Sequence, residues 1–481
     1  MSDATLLIDG KPFATPRTFE RRHPVTGDLV TVASAATPAD AAAAADAAAA
    51  AFPEWSRTTP NGRRELISRA ADLVKDWADE LVAAMMGETG ASEAWSRFNV
   101  RLTENIMREA AAITTSFAGE VLATDKPDCL SLAVREPMGV CLAIAPWNAP
   151  LILGMRSIIW PLACGNTVVL KASELCPATH RLLGDVLVAA GFPPGTVNVL
   201  INAPEDAASV VSTLIAHKAV RHVNFTGSSH TGRIIAVEAA RHLKPVLLEL
   251  GGKAPLLVLE DADLGAAVRA AAFGAFMHQG QICMSTERVI VDRRVADVFA
   301  ENFAAKARTL TAGDPRTSNA PLGSLIGLDA ADRVDQLIDD AVAKGAKRLS
   351  GGKRQGTIMD ATVLDFVTPD MRIYYEETFG PVACIVRSQD DEDAIRIAND
   401  TDYGLSASVY SRDVSRALAI ARRIESGICH VNGPTVQDEA TVPFGGVKAS
   451  GYGKFGGAAG INAFTNVRWL TIEGREPHYP F

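Results

Sequence analysis

The sequence predicts an α/β protein made of two lobes, each a parallel sheet flanked by helices, with a small separate β element. Three observations carry that reading. From residue 140 onward, apolar runs of strand length alternate with helix-period patterns, as in a parallel sheet with helical crossovers. A second series of the same kind begins near residue 254. The chain has 481 residues, 48% of them hydrophobic and 21% charged, which is enough apolar material for more than one core and gives no compositional case for disorder.

From the N-terminus, the Ala-rich stretch 40–51 is expected to be a helix, opened by Pro38 and Asp40 and stopped by Phe52-Pro53. The first series predicts strands over 140–145, 167–170, 197–201, 220–225 and 246–250, with helices over 181–190 and 232–242. Strands joined by helical crossovers make a doubly wound sheet, which takes ligands beyond the carboxyl ends of its strands. The second series predicts strands over 256–259, 289–292, 382–386, 406–410 and 428–432, with helices over 295–310, 332–343 and 414–424. The lobes are expected to meet near 249–252. Segment 115–136 and the tail after Ala463 alternate like strands without a place in either sheet. They are left to pair with each other or with a second subunit.

Lys plus Arg is 47 and Asp plus Glu is 56, a net charge of −9 that offers no footprint for nucleic acid or an anionic membrane. The seven cysteines, at 129, 141, 164, 176, 283, 384 and 429, form no C-x-x-C pair and no cluster of zinc spacing. No metal site is expected, and a reducing, cytoplasmic compartment fits. The first ten residues carry acids and only a short apolar run, unlike a signal or transit peptide. The longest uncharged run, 137–155, spans 19 residues. Pro146, Trp147, Asn148 and Pro150 at its centre predict a buried loop, not a lipid-spanning helix.

Five motifs carry chemistry or imitate it. Gly451-Tyr452-Gly453-Lys454-Phe455-Gly456 fits G-x-G-x-x-G, but no apolar strand precedes it and no helix-period pattern follows, so a tight turn is expected. The segment 225–232, from Phe225 through Gly227 and Ser228 to Gly232, lies between a strand and a helix. It suits either a pyrophosphate held by backbone N–H groups or a plain turn with a serine N-cap. Lys171 and Glu174 follow a strand at its carboxyl end, placed to bond ribose hydroxyls or to form a solvated salt bridge. Glu249 ends an apolar strand, where burial raises a carboxyl pKa toward that of a general base unless the group is paired. Cys283 sits in a polar, glycine-bearing turn, either a nucleophile or an ordinary loop thiol.

Together, Pro146-Trp147-Asn148, Phe225-Thr226-Gly227-Ser228, Leu248-Glu249-Leu250-Gly251-Gly252-Lys253, Gly280-Gln281-Ile282-Cys283, Glu377-Thr378-Phe379-Gly380-Pro381 and Pro443-Phe444-Gly445-Gly446-Val447-Lys448 resemble the aldehyde dehydrogenase superfamily, in family order. The resemblance implies a Rossmann-like NAD-binding lobe (1–116 and 137–248), a catalytic α/β lobe (249–447) and an oligomerisation β element (117–136 and 463–481). It makes Cys283 the nucleophile and Glu249 the base, with the Asn148 amide and the Cys283 N–H as an oxyanion hole. Trp147, Lys171, Glu174 and Ser228 look like adenosine and pyrophosphate contacts. Glu377 and Phe379 look like holders of the nicotinamide ribose and ring. Ile144, Phe225, Gly227 and Gly251 complete the implied cofactor set. A carboxylate at Glu174 favours NAD over NADP. The implied partners are a small-molecule aldehyde and further copies of the chain, as a homodimer or homotetramer. Lys454-Phe455-Gly456 departs from the family's common basic-acidic pair, which bears on loop packing and not on the chemistry.

For the substrate, Ala149 stands where many family members carry Phe, opening room for a flat ring. With Trp95, Arg156, Ile282 and Phe444 it looks similar to the salicylaldehyde, benzaldehyde and vanillin dehydrogenase group. Arg156 is expected either to bond a ring hydroxyl or to sit in a helix-surface salt bridge. The alternatives are an aliphatic aldehyde or semialdehyde substrate and, from another class, a non-catalytic binding protein of the same fold.

Overall fold

Apolar runs become strands here where both faces of a sheet can be covered. The computed structural model describes residues 2–352, 354–476 and 478–481. One sheet runs, edge to edge, Gly451–Tyr452, Val246–Glu249, Val220–Thr226, Val140–Ile144, Thr167–Lys171, Val197–Leu200, Leu6–Ile8, Lys11–Phe13. Its five middle strands, from Val246–Glu249 to Val197–Leu200, are mutually parallel and are those expected from the sequence. Both edges are antiparallel additions that the pattern does not show, because strands of two or three residues are too short to establish a period.

The second sheet runs Lys347–Ser350, Thr362–Asp365, Val382–Ser388, Thr286–Asp292, Ala254–Val258, Ser406–Tyr410, Ile428–Val431. Leu257 and Ile290 pack into one apolar cluster while Leu256, Val258, Val289 and Val291 pack into another. Burial on both faces explains why these strands read as continuous apolar runs. Cys129–Pro137 pairs antiparallel with Thr465–Glu473 along its whole length, and Glu120–Leu122 adds a third strand. The two unplaced β-like segments therefore pair with each other. Before residue 140, which the alternation does not reach, the chain forms the helices Pro60–Asp76, Ala78–Thr89 and Glu93–Ala112 and a small sheet of Ser2–Ala4, Leu29–Ser34 and Thr18–Arg22.

Two expectations are corrected. The Ala-rich helix does not stop at Phe52-Pro53 but spans Pro38–Trp55, with Pro53 inside its last turn. Thr37 and Asp40 form its capping box, and fully buried Trp55, packed on Phe192 at 5.4 Å between ring centroids, anchors the end that Pro53 weakens. The uncharged run 137–155 is not one buried loop. It holds the strand Val140–Ile144, a short turn, and the start of the helix Pro150–Ala163, where Pro150 occupies the first turn and needs no N–H partner. Among the described residues no helix is long and apolar enough to cross a membrane. At the imitation phosphate motif the expected tight turn is met only in part: Gly451–Tyr452 is the edge strand, Gly453 and Gly456 take φ of 79° and 85° in the turn after it, and a helix, Gly457–Ala463, does follow, too short to set a period in the sequence.

Asn166, fully buried, ties three elements together. Its Oδ1 accepts from the N–H groups of Met138 (2.6 Å) and Gly139 (3.1 Å), and its Nδ2 donates to the carbonyls of Pro161 (3.1 Å) and Phe464 (2.9 Å). Asn166→Ala strands these groups and is expected to cost about 3 kcal/mol, read as a lower urea midpoint with an unchanged slope. An unchanged midpoint contradicts that account.

Candidate active site

The loop bearing Cys283 is shaped by its backbone. Between the helix Leu264–Phe276 and the strand Thr286–Asp292, residues His278, Gln279 and Gly280 take φ of 49°, 56° and 70° in succession. Gly280 cannot be replaced simply, since a Cβ there would lie 2.1 Å from the Gly380 carbonyl oxygen. The Gln279 and Gln281 side chains donate to the Ser324 carbonyl at 2.9 and 3.2 Å, and Gln281 Oε1 accepts from Ile326 N–H at 3.0 Å. The loop is thus pinned, and Cys283 follows it, partly exposed.

Asn148 is fixed against the same loop. Its Nδ2 donates to the Gln281 carbonyl at 2.9 Å, and its own carbonyl accepts from Trp95 Nε1 at 3.1 Å. Trp95 is in turn stacked against Phe98 (5.4 Å) and His278 (5.0 Å). Glu249 ends its strand in register with Thr226 and Gly451. It is 1% exposed, and neither carboxylate oxygen has a hydrogen-bond partner among the described residues. Burial pushes its pKa up to about 8, with Arg156 opposing and Asp438 adding to the shift. The Cys283 thiol is pushed well above its ordinary value by burial first and by Glu249 second, so the resting thiol is protonated. Cys283, Glu249 and Asn148 all line one cavity.

Cys283 and Asn148 stand where two cavities meet. One, of about 550 Å3, is also lined by Trp147, Gly227, Ser228, Gly251, Glu377 and Phe379. Ser228 caps the helix Ser229–Arg241, its Oγ accepting from Thr231 N–H at 3.2 Å, so both readings of that segment, cap and ligand cradle, describe the same atoms. A Cβ at Gly227 would meet the Phe225 ring at 2.4 Å, and one at Gly251 the Glu377 carboxylate at 2.6 Å. Glycine at these positions lets the Phe225 ring and the Glu377 carboxylate pack directly against the backbone at the edge of the cavity. Glu377 accepts from Gly252 N–H at 2.9 Å, and burial, with the Glu287 charge second, pushes its pKa up to about 7. Phe379, at φ 49°, meets Trp147 edge-on at 5.8 Å.

Four of the expected cofactor residues lie off this lining. Phe225, Ile144 and Lys171 are register neighbours across the sheet, all buried, forming one row at the strands' carboxyl ends. Lys171 pairs with Glu174, which also accepts from Asn202 Nδ2 at 2.8 Å. That pair is largely buried, not solvated, because the strand Thr167–Lys171 lies in the middle of the sheet.

The second cavity, of about 430 Å3, is mainly apolar and includes Trp95, Ala149, Ile282, Phe444 and Arg156 in its walls. The helix-surface reading of Arg156 is overturned, since every residue of Pro150–Ala163 is buried. Arg156 is 3% exposed, pairs with Asp438 at 2.5 Å and lies over the Phe444 ring at 4.5 Å. Arg156 Nη1 and Asp438 Oδ1 have no hydrogen-bond partner among the described residues. Asp438, also in this lining, was missed by sequence reasoning, and so were Phe98 and Met277. An acid in the irregular segment 432–445 carries no periodic signal. Among the described residues no group of three or more His, Cys, Asp or Glu stands ready to hold a metal ion.

The family described as the aldehyde dehydrogenase family matches residues 13–470 of this chain. A vanillin dehydrogenase of Pseudomonas fluorescens is 58% identical, with 100% of each chain covered. The benzaldehyde dehydrogenase [NAD(+)] of Pseudomonas putida is 37% identical over 95% of this chain and 94% of its own. A crystal structure of a salicylaldehyde dehydrogenase from Pseudomonas putida G7, complexed with salicylaldehyde, superposes with a TM-score of 0.98 at 47% identity, covering 100% of both chains.

Above about pH 8, the charge on Glu249 holds the Cys283 thiol up, and Glu249→Gln removes it. Iodoacetamide should therefore alkylate Cys283 faster in Glu249→Gln than in the wild type above about pH 8, the difference shrinking below it as Glu249 becomes neutral. Mass spectrometry of the Cys283 peptide reads the rates. Slower alkylation in the variant contradicts the electrostatic account.

Proposed function

The chain belongs to the aldehyde dehydrogenase family, and from that premise we propose that it oxidises aromatic aldehydes to carboxylates with NAD as hydride acceptor. The observation that carries the substrate reading is the mainly apolar cavity of about 430 Å3 that ends on Cys283 and Asn148. Its size falls in the range of small-molecule sites, roughly 300–1,000 Å3. Its walls include Trp95, Ala149 and Phe444, which suit a planar ring. The vanillin, benzaldehyde and salicylaldehyde dehydrogenases named above act on rings of this kind.

The Cys283 thiol, protonated at rest, loses its proton to solvent, and the thiolate attacks the aldehyde carbon, forming a C–S bond as the carbonyl π pair moves onto oxygen to give a tetrahedral thiohemiacetal. Asn148 Nδ2 keeps one N–H beyond its bond to Gln281 and, with the Cys283 backbone N–H, offers two donors to the oxyanion. Fixed donors of this kind are worth roughly 10²- to 10³-fold in rate apiece. When bound, NAD supplies the acceptor for the hydride that this carbon then loses. Trp147, Ser228, Glu377 and Phe379 would hold the cofactor in this cavity, which Gly227 and Gly251 also line. The thioester left on Cys283 is cleaved by water. Glu249, with no hydrogen-bond partner and a pKa of about 8, takes one proton of the water as the C–O bond forms; the C–S bond then breaks, the thiolate takes up a proton to restore the resting thiol, and the new acid and Glu249 lose theirs to solvent, leaving the carboxylate.

The Glu174 carboxylate favours NAD over NADP by accepting a ribose 2′-hydroxyl and repelling a 2′-phosphate. The NAD(+) in the name of the Pseudomonas putida relative supports the same choice. Residues 1–116 and 137–248 are assigned to cofactor binding, 249–447 to catalysis, and 117–136 with 463–481 to self-association. Val467 and Trp469, 62% and 71% exposed on one face of that last sheet, give an apolar surface suited to a homodimer or homotetramer. The seven free thiols suit a reducing cytoplasm.

NADH absorbance across an aldehyde panel tests the reading. Vanillin, salicylaldehyde and benzaldehyde should show kcat/KM at least tenfold above short-chain and acid-bearing aldehydes, and Ala149→Phe should lower the aromatic values selectively by filling the cavity. Equal or better rates on the aliphatic substrates would sink the aromatic assignment.

A further inference from the structure

Lys253 and Glu287 form a buried ion pair with no place in the chemistry above. Their Nζ–Oε2 distance is 2.5 Å, and their side chains are 0% and 4% exposed. A pair this deep is poor evidence of stability, because removing two charges from water offsets much of their attraction. Its connections indicate another role. Lys253 directly follows the Gly251-Gly252 step after Glu249, and Glu287 is the second residue of the strand that leaves the Cys283 loop. The Glu287 carboxylate also accepts the backbone N–H of Thr378 at 2.7 Å and that of Phe379 at 3.1 Å, while Lys253 Nζ donates to Thr378 Oγ1 at 3.2 Å. One ion pair thus ties together three of the segments that line the cavity beside Cys283: the one carrying Glu249, the one carrying Cys283, and the one carrying Glu377 and Phe379.

The third segment needs such a hold. Phe379 occupies left-handed backbone at φ 49°, a conformation that non-glycine residues keep only when their surroundings impose it. Arg333 grips the outer side, donating to the carbonyls of Glu377 and Thr378 at 2.8 and 2.7 Å. Glu287 grips the inner side through the N–H groups. Arg288, fully buried, binds the Lys253 carbonyl at 3.4 Å and so continues the tie between the first two segments.

We propose that the Lys253–Glu287 pair is a positioning element that sets the cofactor-facing Glu377 and Phe379 relative to Cys283, and through that placement governs hydride transfer without touching the substrate. The inference rests on the reading of Glu377 and Phe379 as cofactor contacts. A second consequence is electrostatic. The Glu287 charge helps hold the Glu377 pKa up at about 7, while Lys253 pulls it down, so losing Glu287 alone lowers it.

The test uses the full-length enzyme with protiated and deuterated benzaldehyde. Glu287→Gln should lower kcat at least tenfold and raise the deuterium isotope effect on kcat, with the aldehyde KM within about twofold and Cys283 alkylation unchanged. The midpoint of the pH dependence of NADH affinity should move to lower pH. Lys253→Met/Glu287→Gln removes both charges and keeps one acceptor for the Thr378 N–H, so it should fold and show a smaller loss of the same kind. Either variant, folded but with wild-type kcat and isotope effect, overturns the proposal. So does the failure of both to give enzyme with an alkylatable Cys283, which would make the pair purely structural. Phe379→Ala separates the two readings. If it leaves the isotope effect and NADH affinity unchanged, the cofactor assignment fails. If it changes them while Glu287→Gln does not, only the positioning role fails.

Discussion

The site depends on a place where two backbones come too close for any side chain. A Cβ at Gly252 would lie 2.4 Å from the Cys283 carbonyl oxygen, and one at Gly251 would lie 2.6 Å from the Glu377 carboxylate. With no Cβ at either position, the segment after Glu249 passes directly against the Cys283 loop and under Glu377. Glu249 comes from the strand Val246–Glu249 of the first sheet, Cys283 from a loop entering the second, and Glu377 from a third segment. They share one cavity because two consecutive glycines let the sheets meet there.

That proximity has an energetic signature. Glu249 is buried with no hydrogen-bond partner, and Arg156 Nη1 and Asp438 Oδ1 are each left unpartnered at the other cavity. Unsatisfied polar atoms cost stability, and folding alone would remove them. Three other buried groups are satisfied. The fully buried Glu88 carboxylate accepts from Thr31, Ala178 and Thr179. Asn166 uses both ends of its amide, and Arg288 donates to four carbonyls. Buried atoms without partners also occur away from the cavities, among them Thr196 Oγ1, His222 Nδ1 and Asn224 Oδ1, so what marks this place is a wholly unpartnered carboxylate sharing a cavity with a thiol.

The central strands were legible because burial on both faces writes them as continuous apolar runs, and the residues at their carboxyl ends followed from the rule that such sheets bind ligands there. Cys283, Glu249 and Asn148 were legible as chemical types in characteristic local strings, although their convergence is a property of the fold. Short edge strands were not legible, because two or three residues set no period. The Ala-rich helix overran its stop signal because the packing of Trp55 outweighs one lost backbone bond at Pro53. Asp438 was invisible for another reason. Its importance lies in being 2.5 Å from Arg156, a partner 282 positions away in a helix whose burial no local pattern reveals.

The most direct test of the account is a single turnover of Glu249→Gln with excess NAD and benzaldehyde. On the proposed mechanism Glu249 breaks the thioester and takes no part in forming it. The variant should therefore release NADH in a burst equal to the enzyme concentration and then nearly stop, with the Cys283 peptide carrying a benzoyl group by mass spectrometry. Steady turnover without a burst, or a burst that leaves Cys283 unmodified, would contradict it.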